Sequence, residues 1–318
     1  MKLVVLDPVY FNEQHISELK RLGEIIRYND FPKTNKVFHR IKEANIIITA
    51  SAHINSYLLR NCKFLKMICL ASTGYDRIDI ETANELGITV TNVPNYAIDA
   101  VAEYTFALIL VLLKKIREGD RHVRYGEFDW RKFQGIQLKG KVFGIIGTGA
   151  IGSRVAQIAN CFGCDVVANT LHPSFERERE LRVKYTTLET FLKVSDIISL
   201  HIPLNASTIS LISYKEFEQM EKRPILINTS RGEIIKHDAL VWALSKGLIS
   251  GAGLDVLPYE LPRKKSLLFK FQNVVFSPHT AFHTTEALNK CADIVIENIK
   301  SFIKGSPQNL INKPKVNK

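Results

Sequence analysis

The stretch GKVFGIIGTGAIG, residues 140–152, decides the fold of this chain. Its apolar part, residues 142–147, predicts a buried β-strand, and a helix is expected over residues 153–160. Gly147, Gly149 and Gly152 lie between the two with the spacing G-x-G-x-x-G, which in this context is typical of a turn that binds a dinucleotide pyrophosphate. Gly147 allows the tight turn, Gly149 lets the main chain approach the phosphates, and Gly152 lets the helix pack on the strand. The helix N-terminus then offers N–H groups and a positive dipole end to the phosphates.

On both sides of this turn, apolar strands alternate with polar helices. Such alternation predicts a parallel α/β sheet, and the continuous apolar character of the strands predicts burial on both faces. The strand pattern restarts near residue 140, so we expect two α/β domains, the second inserted into the first. Strands are predicted at residues 2–7, 45–50, 64–71, 88–93, 142–147, 165–169, 197–202, 225–230, 250–256 and 274–279, and helices at 15–22, 37–43, 99–117 and 284–304.

Composition excludes several classes of protein. The 318 residues are 46% hydrophobic and 24% charged, which is ordinary for a folded globular chain and excludes a disordered or collagen-like one. The longest uncharged apolar run, residues 105–113, is nine residues long. A membrane span needs about 20 such residues, so no span is expected. The N-terminus has no long apolar segment of the kind that a signal peptide requires, and we expect a cytoplasmic protein.

Charge and cysteine content add little to the functional prediction. The net charge of +11 comes from Lys and Arg residues spread along the whole chain, without an aromatic-interleaved basic stripe, so nucleic-acid binding is not expected. A basic field does suit an anionic substrate. Five cysteines do not make a disulfide framework, and no metal site is expected. The C-x-x-C pair Cys161 and Cys164 is interpreted as two small residues closing a helix against the sheet.

Position 170 leaves the choice between NAD and NADP open. A carboxylate that binds the ribose 2′-hydroxyl is expected about 20 residues after the glycine turn, and Thr170 stands there instead. A neutral residue removes repulsion toward a 2′-phosphate, and His172, Arg177 and Arg179 follow. Glutamates interleave with these arginines, as they also do on an ordinary exposed helix.

Polar residues follow several of the predicted strands. They are His201, the run from Asn228 to Gly232, Asp255 and His279. In open α/β sheets ligands bind beyond the carboxyl ends of the strands. We therefore expect these side chains to converge at one sheet edge.

Together with the glycine turn, these polar residues make the sequence resemble the D-isomer-specific 2-hydroxyacid dehydrogenase family over roughly residues 45–312. The resemblance implies a flavodoxin-like substrate domain over residues 1–100 and 285–318, with a dinucleotide-binding Rossmann domain over residues 101–284 inserted in it. The segments that carry the resemblance are ASTGYDRIDIETANELGITVTNVPNYAIDAVAEYT (71–105), GKVFGIIGTGAIG (140–152), DIISLHIPLNAST (196–208), ILINTSRGEII (225–235), GAGLDVLPYELP (251–262) and SPHTAFHTTEAL (277–288).

The resemblance implies hydride transfer between NAD(P)H and C2 of a small anionic 2-keto or 2-hydroxy acid. The family's catalytic trio corresponds to Arg231, Glu260 and His279. Arg231 offers a planar guanidinium that suits a carboxylate and a keto oxygen, and His279 as imidazolium suits proton donation. Glu260 would orient the imidazole. Leu261 stands where relatives usually carry Pro, which comes one place later at Pro262, so a small change in that loop is expected.

The resemblance also implies the binding residues. Substrate-binding residues would be Ser72, Thr73, Gly74 and Tyr96 together with Arg231 and His279, and Phe282 would face the same pocket. Cofactor-binding residues would be Thr105, Gly147, Gly149, Ala150, Ile151, Gly152, Thr170, His201, Pro203, Thr208, Thr229, Ser230 and Asp255. Asp255 would hold the nicotinamide carboxamide.

Two further points follow from the resemblance. Sequence cues around His279 and around residues 95–105 point to different members, so hydroxypyruvate, glyoxylate and pyruvate all stay open as substrates. The alternative function is an NAD(H)-sensing regulator on the same fold with little turnover, although the chain lacks the disordered arms expected of one. A homodimer is expected, with residues 101–113 and 125–133 as a compatible contact.

Overall fold

The computed structural model describes residues 1–258 and 266–315. They form two compact units, one of residues 1–97 and 283–318 and the other of residues 98–282. Across the described ranges no helix combines the length and the apolar character that crossing a bilayer requires.

The first unit is a parallel sheet of five strands in the order β2-β1-β3-β4-β5, with helices on both faces. Helices α1 and α12 bury Leu19, Val295 and Ile299 against one face, and α2 and α3 bury Ile41 and Leu58 against the other. Its elements are β1 (Lys2–Val5), α1 (Glu13–Leu22), β2 (Glu24–Arg27), α2 (Thr34–Ile41), β3 (Ile46–Thr49), α3 (Ser56–Asn61), β4 (Met67–Leu70), α4 (Ile80–Glu85), β5 (Thr89–Thr91) and α12 (Thr285–Ile303).

The second unit is a parallel sheet of seven strands in the order β12-β11-β10-β9-β6-β7-β8. Helices α5 and α7 bury Ile109 and Val155 on one face, and α9, α10 and α11 bury Phe191, Phe217 and Leu240 on the other. Its elements are α5 (Ile98–Lys114), α6 (Ile116–Arg124), β6 (Val142–Ile146), α7 (Ala150–Cys161), β7 (Asp165–Asn169), α8 (Phe175–Leu181), β8 (Lys184–Tyr185), α9 (Leu188–Val194), β9 (Ile197–Leu200), α10 (Tyr214–Glu218), β10 (Ile225–Asn228), α11 (His237–Lys246), β11 (Gly251–Leu254) and β12 (Val274–Phe276).

These strand orders confirm the predicted fold class. The order in the first unit is that of flavodoxin-like folds, and the order around β6 in the second is that of Rossmann folds. In both sheets a parallel crossover places the loops after the strands at the carboxyl edge; Asn228 is the last residue of its strand, and the other polar strand-end residues lie in such loops.

The helix predicted over residues 99–117 is two helices in the structure. α5 ends at Lys114, Lys115 adopts a left-handed conformation with φ of 52°, and α6 begins at Ile116. The returning chain ends α5, because the Ile136 N–H donates to the Leu113 carbonyl at 3.0 Å. Helix α6 buries none of its residues, so the apolar pattern that marks a core helix stops with α5.

Candidate active site

In the glycine turn of the second unit, two of the three glycines are required for structural reasons. Gly147 follows β6 with φ of 90°, and a Cβ there would lie 2.5 Å from the His201 carbonyl oxygen. A Cβ on Gly152 would collide with the Gly147 carbonyl. Only glycine fits either position, because one needs a left-handed backbone and both are in contact with main chain.

Gly149 differs from its two neighbours. It is the N-cap of α7, with φ of −66°, and a Cβ there would meet no protein atom within 4 Å. No side chain caps α7, whose first residues are Ala150 and Ile151. Open space beside an uncapped helix start fits a group that approaches the main chain closely and carries negative charge, as a dinucleotide pyrophosphate does.

Polar side chains connect the start of α7 to the neighbouring helix α8. The Ser153 hydroxyl donates to the Thr148 carbonyl at 3.1 Å, and the Arg177 guanidinium donates to the Ser153 hydroxyl at 2.7 Å. Arg177 thus lies beside the glycine turn although it is 24 residues away in sequence. Thr170, just after β7, is half-buried. Sequence spacing does not distinguish Arg177 from Arg179, whereas the hydrogen bond to Ser153 does.

The loop after β9 packs on the glycine turn. The His201 N–H donates to the Ile146 carbonyl at 2.8 Å, and its Nε2 lies 2.8 Å from the Ser199 hydroxyl. Burial lowers the pKa of His201 to about 3, so the ring is neutral at physiological pH. Farther along, the Thr208 hydroxyl donates to the Pro203 carbonyl at 2.7 Å and shapes the loop. His201 is therefore suited to lining a site and not to donating a proton.

Asn228 organises the loop after β10. Its fully buried amide accepts from the Ser230 N–H at 3.0 Å and from the Ser230 hydroxyl at 2.9 Å, and donates to the Arg231 carbonyl at 2.8 Å. The Arg231 guanidinium donates to the Ser230 carbonyl at 2.9 Å. The hydroxyls of Thr229 and Thr105 lie 3.3 Å apart, so these two predicted residues come together. The sequence placed Asn228 among the polar residues at the strand ends but gave it no binding or catalytic role, although a buried amide ending an apolar strand is a usable signal for a structural one.

Asp255, after β11, holds the segment that carries His279. Its buried carboxylate accepts from the Ser277 hydroxyl at 2.6 Å and from the N–H groups of Thr280 and Ala281 at 2.9 Å. The His279 N–H donates to the Asp255 carbonyl at 2.8 Å. The sequence predicts that Asp255 holds the nicotinamide carboxamide; within the described residues its carboxylate bonds go to Ser277, Thr280 and Ala281, on either side of His279. The Ser277 hydroxyl and the Thr280 N–H, which bond the Asp255 carboxylate, have no motif of their own and were missed.

His279 itself has an uncommon backbone. Its φ is 54°, which costs a non-glycine residue about 1–3 kcal/mol and persists only where the surroundings impose it. Ser277 and Ala281, two residues before and after His279, both donate to the Asp255 carboxylate and so impose this conformation. The ring packs edge-on against Phe282, with centroids 5.9 Å apart. The predicted partner Glu260, and Leu261 and Pro262 beside it, lie outside the described residues.

In the first unit, the predicted substrate residues form the loop after β4. The Ser72 hydroxyl donates to the Gly74 carbonyl at 2.9 Å, and the Thr73 hydroxyl donates to the Val93 carbonyl at 2.8 Å. Within the described residues, the N–H groups of Ser72, Thr73 and Gly74 make no hydrogen bond to a protein acceptor. Tyr96 is half-buried and packs on the core of this unit.

The strand order and the open glycine turn define the class of the second unit, which is a dinucleotide-binding Rossmann domain. The family model described as "D-isomer specific 2-hydroxyacid dehydrogenase, NAD binding domain" matches residues 106–281. The chain belongs to the D-isomer-specific 2-hydroxyacid dehydrogenase family, as its motifs predicted.

Similar proteins cover nearly the whole chain. A glyoxylate reductase of Thermococcus litoralis is 40% identical over 314 residues, which are 95% of this chain and 94% of that protein. An acyclic imino acid reductase solved with NADPH and D-Arg has a TM-score of 0.90 and 33% identity, covering 98% and 100% of the two chains. A D-lactate dehydrogenase of Aquifex aeolicus, solved with NAD and lactic acid, has a TM-score of 0.89 and 29% identity, covering 99% and 100%. The chain is thus an NAD(P)-dependent oxidoreductase, as predicted, and the comparisons give the sensor alternative no support.

Proposed function

We propose that this protein reduces a small 2-keto acid, of the glyoxylate, hydroxypyruvate or pyruvate class, to the corresponding 2-hydroxy acid, with the D configuration where C2 becomes a stereocentre. The observation that carries the proposal is the His279 segment. Asp255 holds a histidine in a costly backbone conformation at the same sheet edge as a cofactor turn. Strain of this kind concentrates at functional sites. Because a similar protein is a glyoxylate reductase, the best candidate substrate is a keto acid with only one or two carbons besides its carboxylate.

The cofactor residues of the proposal all lie in the second unit. The pyrophosphate binds the N–H groups at the start of α7, from Gly149 to Gly152, where no side chain competes. The main chain around Thr229 and Ser230 would hold the nicotinamide, Thr105 would contact the phosphates, and His201, Pro203 and Thr208 would line the adenosine side. The bound nicotinamide supplies a hydride to C2 of the keto acid.

Substrate binding and proton transfer follow from the chemistry of the remaining residues. The N–H groups of Ser72, Thr73 and Gly74 donate to the substrate carboxylate, and Tyr96 lines its pocket. Arg231 donates to the carboxylate and the keto oxygen and so stabilises the negative charge that develops on that oxygen. His279 donates the proton to the same oxygen, and Glu260 orients its ring. General acid catalysis of this kind contributes about 10²- to 10⁴-fold.

We further propose that the enzyme accepts NADPH. Thr170 presents no carboxylate to repel a 2′-phosphate, and a hydrogen bond to Ser153 holds Arg177 next to the glycine turn. Thr170→Asp is then expected to weaken NADPH binding about tenfold or more, by placing like charges together, and to weaken NADH binding little. Arg177→Ala weakens NADPH selectively, whereas Arg179→Ala on the same helix leaves the NADPH-to-NADH ratio unchanged. An unchanged ratio in both Thr170→Asp and Arg177→Ala would refute this assignment.

We also propose that the protein is a homodimer. The segment after α6 exposes Tyr125, Phe128 and Trp130 by 80%, 91% and 82% of their surfaces. Three aromatic side chains in water on one short segment are costly, and a second copy of this chain would bury them. Light scattering is expected to give a dimer mass for the wild type and a monomer mass for Trp130→Glu. A monomeric wild type refutes the dimer without affecting the proposed reaction.

Product analysis tests the reaction directly. The protein is incubated with deuterated NADH or NADPH, labelled at the transferable position, and with each of the three acids in turn. The proposal predicts a 2-hydroxy acid with deuterium at C2, detected by mass spectrometry. Oxidation of the cofactor without deuterium at C2, or no product from any of the three acids, would refute it.

A further inference from the structure

Asp7, two residues after β1 in the first unit, is a buried acid that the proposed reaction does not use. It is fully buried, and its carboxylate oxygens accept five hydrogen bonds. Three come from the successive N–H groups of Ala50, Ser51 and Ala52, each at 2.9 Å. Two come from the hydroxyls of Thr49 and Ser51, at 2.6 and 2.9 Å. A buried carboxylate is tolerated only with donors of this number, so the turn at residues 49–52 is built around it.

The same turn is bonded to the loop that carries the proposed substrate N–H groups. The Ala71 N–H donates to the Thr49 carbonyl at 2.8 Å, and the Arg77 guanidinium donates to the Ser51 carbonyl at 2.5 Å. Ser72, Thr73 and Gly74 lie between these two anchors. The turn that surrounds Asp7 therefore holds both ends of the 71–77 loop.

A further pair of bonds keeps the two segments side by side. The Ile54 N–H donates to the Arg77 carbonyl at 3.0 Å, and the Asp79 N–H donates to the Ile54 carbonyl at 3.0 Å. On its other side the 71–77 loop is held by β5, since the Val93 N–H donates to the Ser72 carbonyl at 3.0 Å. The loop thus has one support from the β5 side and one support that depends on Asp7.

We propose that Asp7 is a positioning residue for substrate binding: acting through the turn at residues 49–52, it holds the N–H groups of Ser72, Thr73 and Gly74 in the arrangement that binds the substrate carboxylate. This inference rests on the proposed function. An anion is recognised by main-chain donors only while they converge, because each donor has a fixed direction. Asp7 makes no contact of its own with the substrate and affects catalysis only through that geometry.

The inference makes a specific kinetic prediction. Asp7→Asn replaces a carboxylate oxygen by an NH₂ group that faces N–H and O–H donors, so the turn must rearrange. The KM for the keto acid is expected to rise about tenfold or more, the loss of roughly one hydrogen bond to a charged group. The kcat at saturating acid stays within about threefold, since His279 and Arg231 are untouched. The Kd for NADPH, which binds the second unit, stays within about twofold.

Three other variants separate positioning from general destabilisation. Thr49→Val and Ser51→Ala each remove one hydroxyl donor and leave the N–H groups in place, so we expect smaller increases in KM of about two- to fivefold even if Asp7→Asn folds poorly. Asn45→Ala is the matched control. Asn45 lies just before β3, at the opposite edge of the same sheet, where its amide accepts from the Lys2 N–H at 2.8 Å and donates to the Phe64 carbonyl at 3.2 Å. It should lower the melting temperature without raising the KM.

The outcomes separate this inference from the function on which it rests. Wild-type turnover with KM raised in the three turn variants, and not in Asn45→Ala, supports the role of Asp7. Wild-type turnover with KM unchanged in all three turn variants, or with kcat and the NADPH Kd altered as much as KM, overturns the role of Asp7 alone. Absence of wild-type turnover on every acid overturns the proposed function and this inference with it.

Discussion

Replacement of Gly149 by alanine tests the cofactor turn without disturbing the fold. A Cβ at Gly149 points into space that holds no protein atom within 4 Å, and its backbone is acceptable to any residue. The stability cost is therefore only that of alanine in place of glycine at an N-cap, at most about 1 kcal/mol. The added methyl group stands where a pyrophosphate would contact the main chain.

The loss of cofactor affinity can be estimated from that contact. Separating a phosphate from one N–H group forfeits a hydrogen bond to a charged group, which contributes about 1.5–3 kcal/mol. The Kd for NAD(P)H should therefore rise about 10- to 150-fold in Gly149→Ala. Titration of NAD(P)H fluorescence measures this Kd, and thermal unfolding of the same samples measures stability.

Two further glycine-to-alanine variants serve as controls. In Gly152→Ala the new Cβ collides with the Gly147 carbonyl, so the fold must shift, and a loss of about 1–3 kcal/mol of stability is expected. In Gly119→Ala, within α6, the new Cβ meets nothing, and stability rises by about 1 kcal/mol with the Kd unchanged. A wild-type Kd in Gly149→Ala would refute the assignment of the pyrophosphate to this turn.

Other predictions concern the loops around the site. Asp255→Asn replaces a carboxylate that accepts three hydrogen bonds by an amide, so kcat should fall about tenfold or more while the NADPH Kd changes little. A kcat equal to that of the wild type would contradict the conclusion that Asp255 holds the His279 segment. Asn228→Ala frees the loop of Arg231, so the KM for the keto acid should rise in steady-state assays, and an unchanged KM would contradict that. Because the folded pKa of His201 is lowered to about 3, the unfolded chain binds an extra proton between about pH 3 and 6.5, and stability falls as pH decreases through that window. His201→Gln should make the fall shallower in denaturant titrations at several pH values, and an identical pH slope would refute the cause.

Much of the fold could be predicted because its signals are local. The strands β3, β4 and β10 are buried along their whole length and are apolar apart from Thr49 and Asn228 at their carboxyl ends, and β7 was predicted with its observed bounds. The missed strands β2 and β8 are short and lie at sheet edges. β2 has charged residues at both ends, and β8 has only two residues, so neither differs from a polar connection. They are strands because a neighbouring strand pairs with them, and not because their own side chains favour a strand.

The site could be predicted in its residue types and not in its hydrogen bonds. Gly147 and Gly152 need glycine because of contacts that the motif spacing encodes, so the turn was predictable. Asn228, Ser277 and Thr280 act through partners that only the folded chain brings near. The role of Glu260 stays a prediction. Position 170 was noticed from the sequence, but the contact that singles out Arg177 depends on where α8 packs.

The central claim is that His279 donates the proton while hydride reaches C2 of a small keto acid. The most direct measurement is the loss of NADH or NADPH absorbance with glyoxylate, hydroxypyruvate and pyruvate, for the wild type, for His279→Ala and for His39→Ala, an exposed histidine on α2. The account predicts turnover with at least one acid, a kcat about 10²- to 10⁴-fold lower in His279→Ala, and wild-type activity in His39→Ala. Turnover that survives in His279→Ala, or no turnover by the wild type with either cofactor, would contradict it.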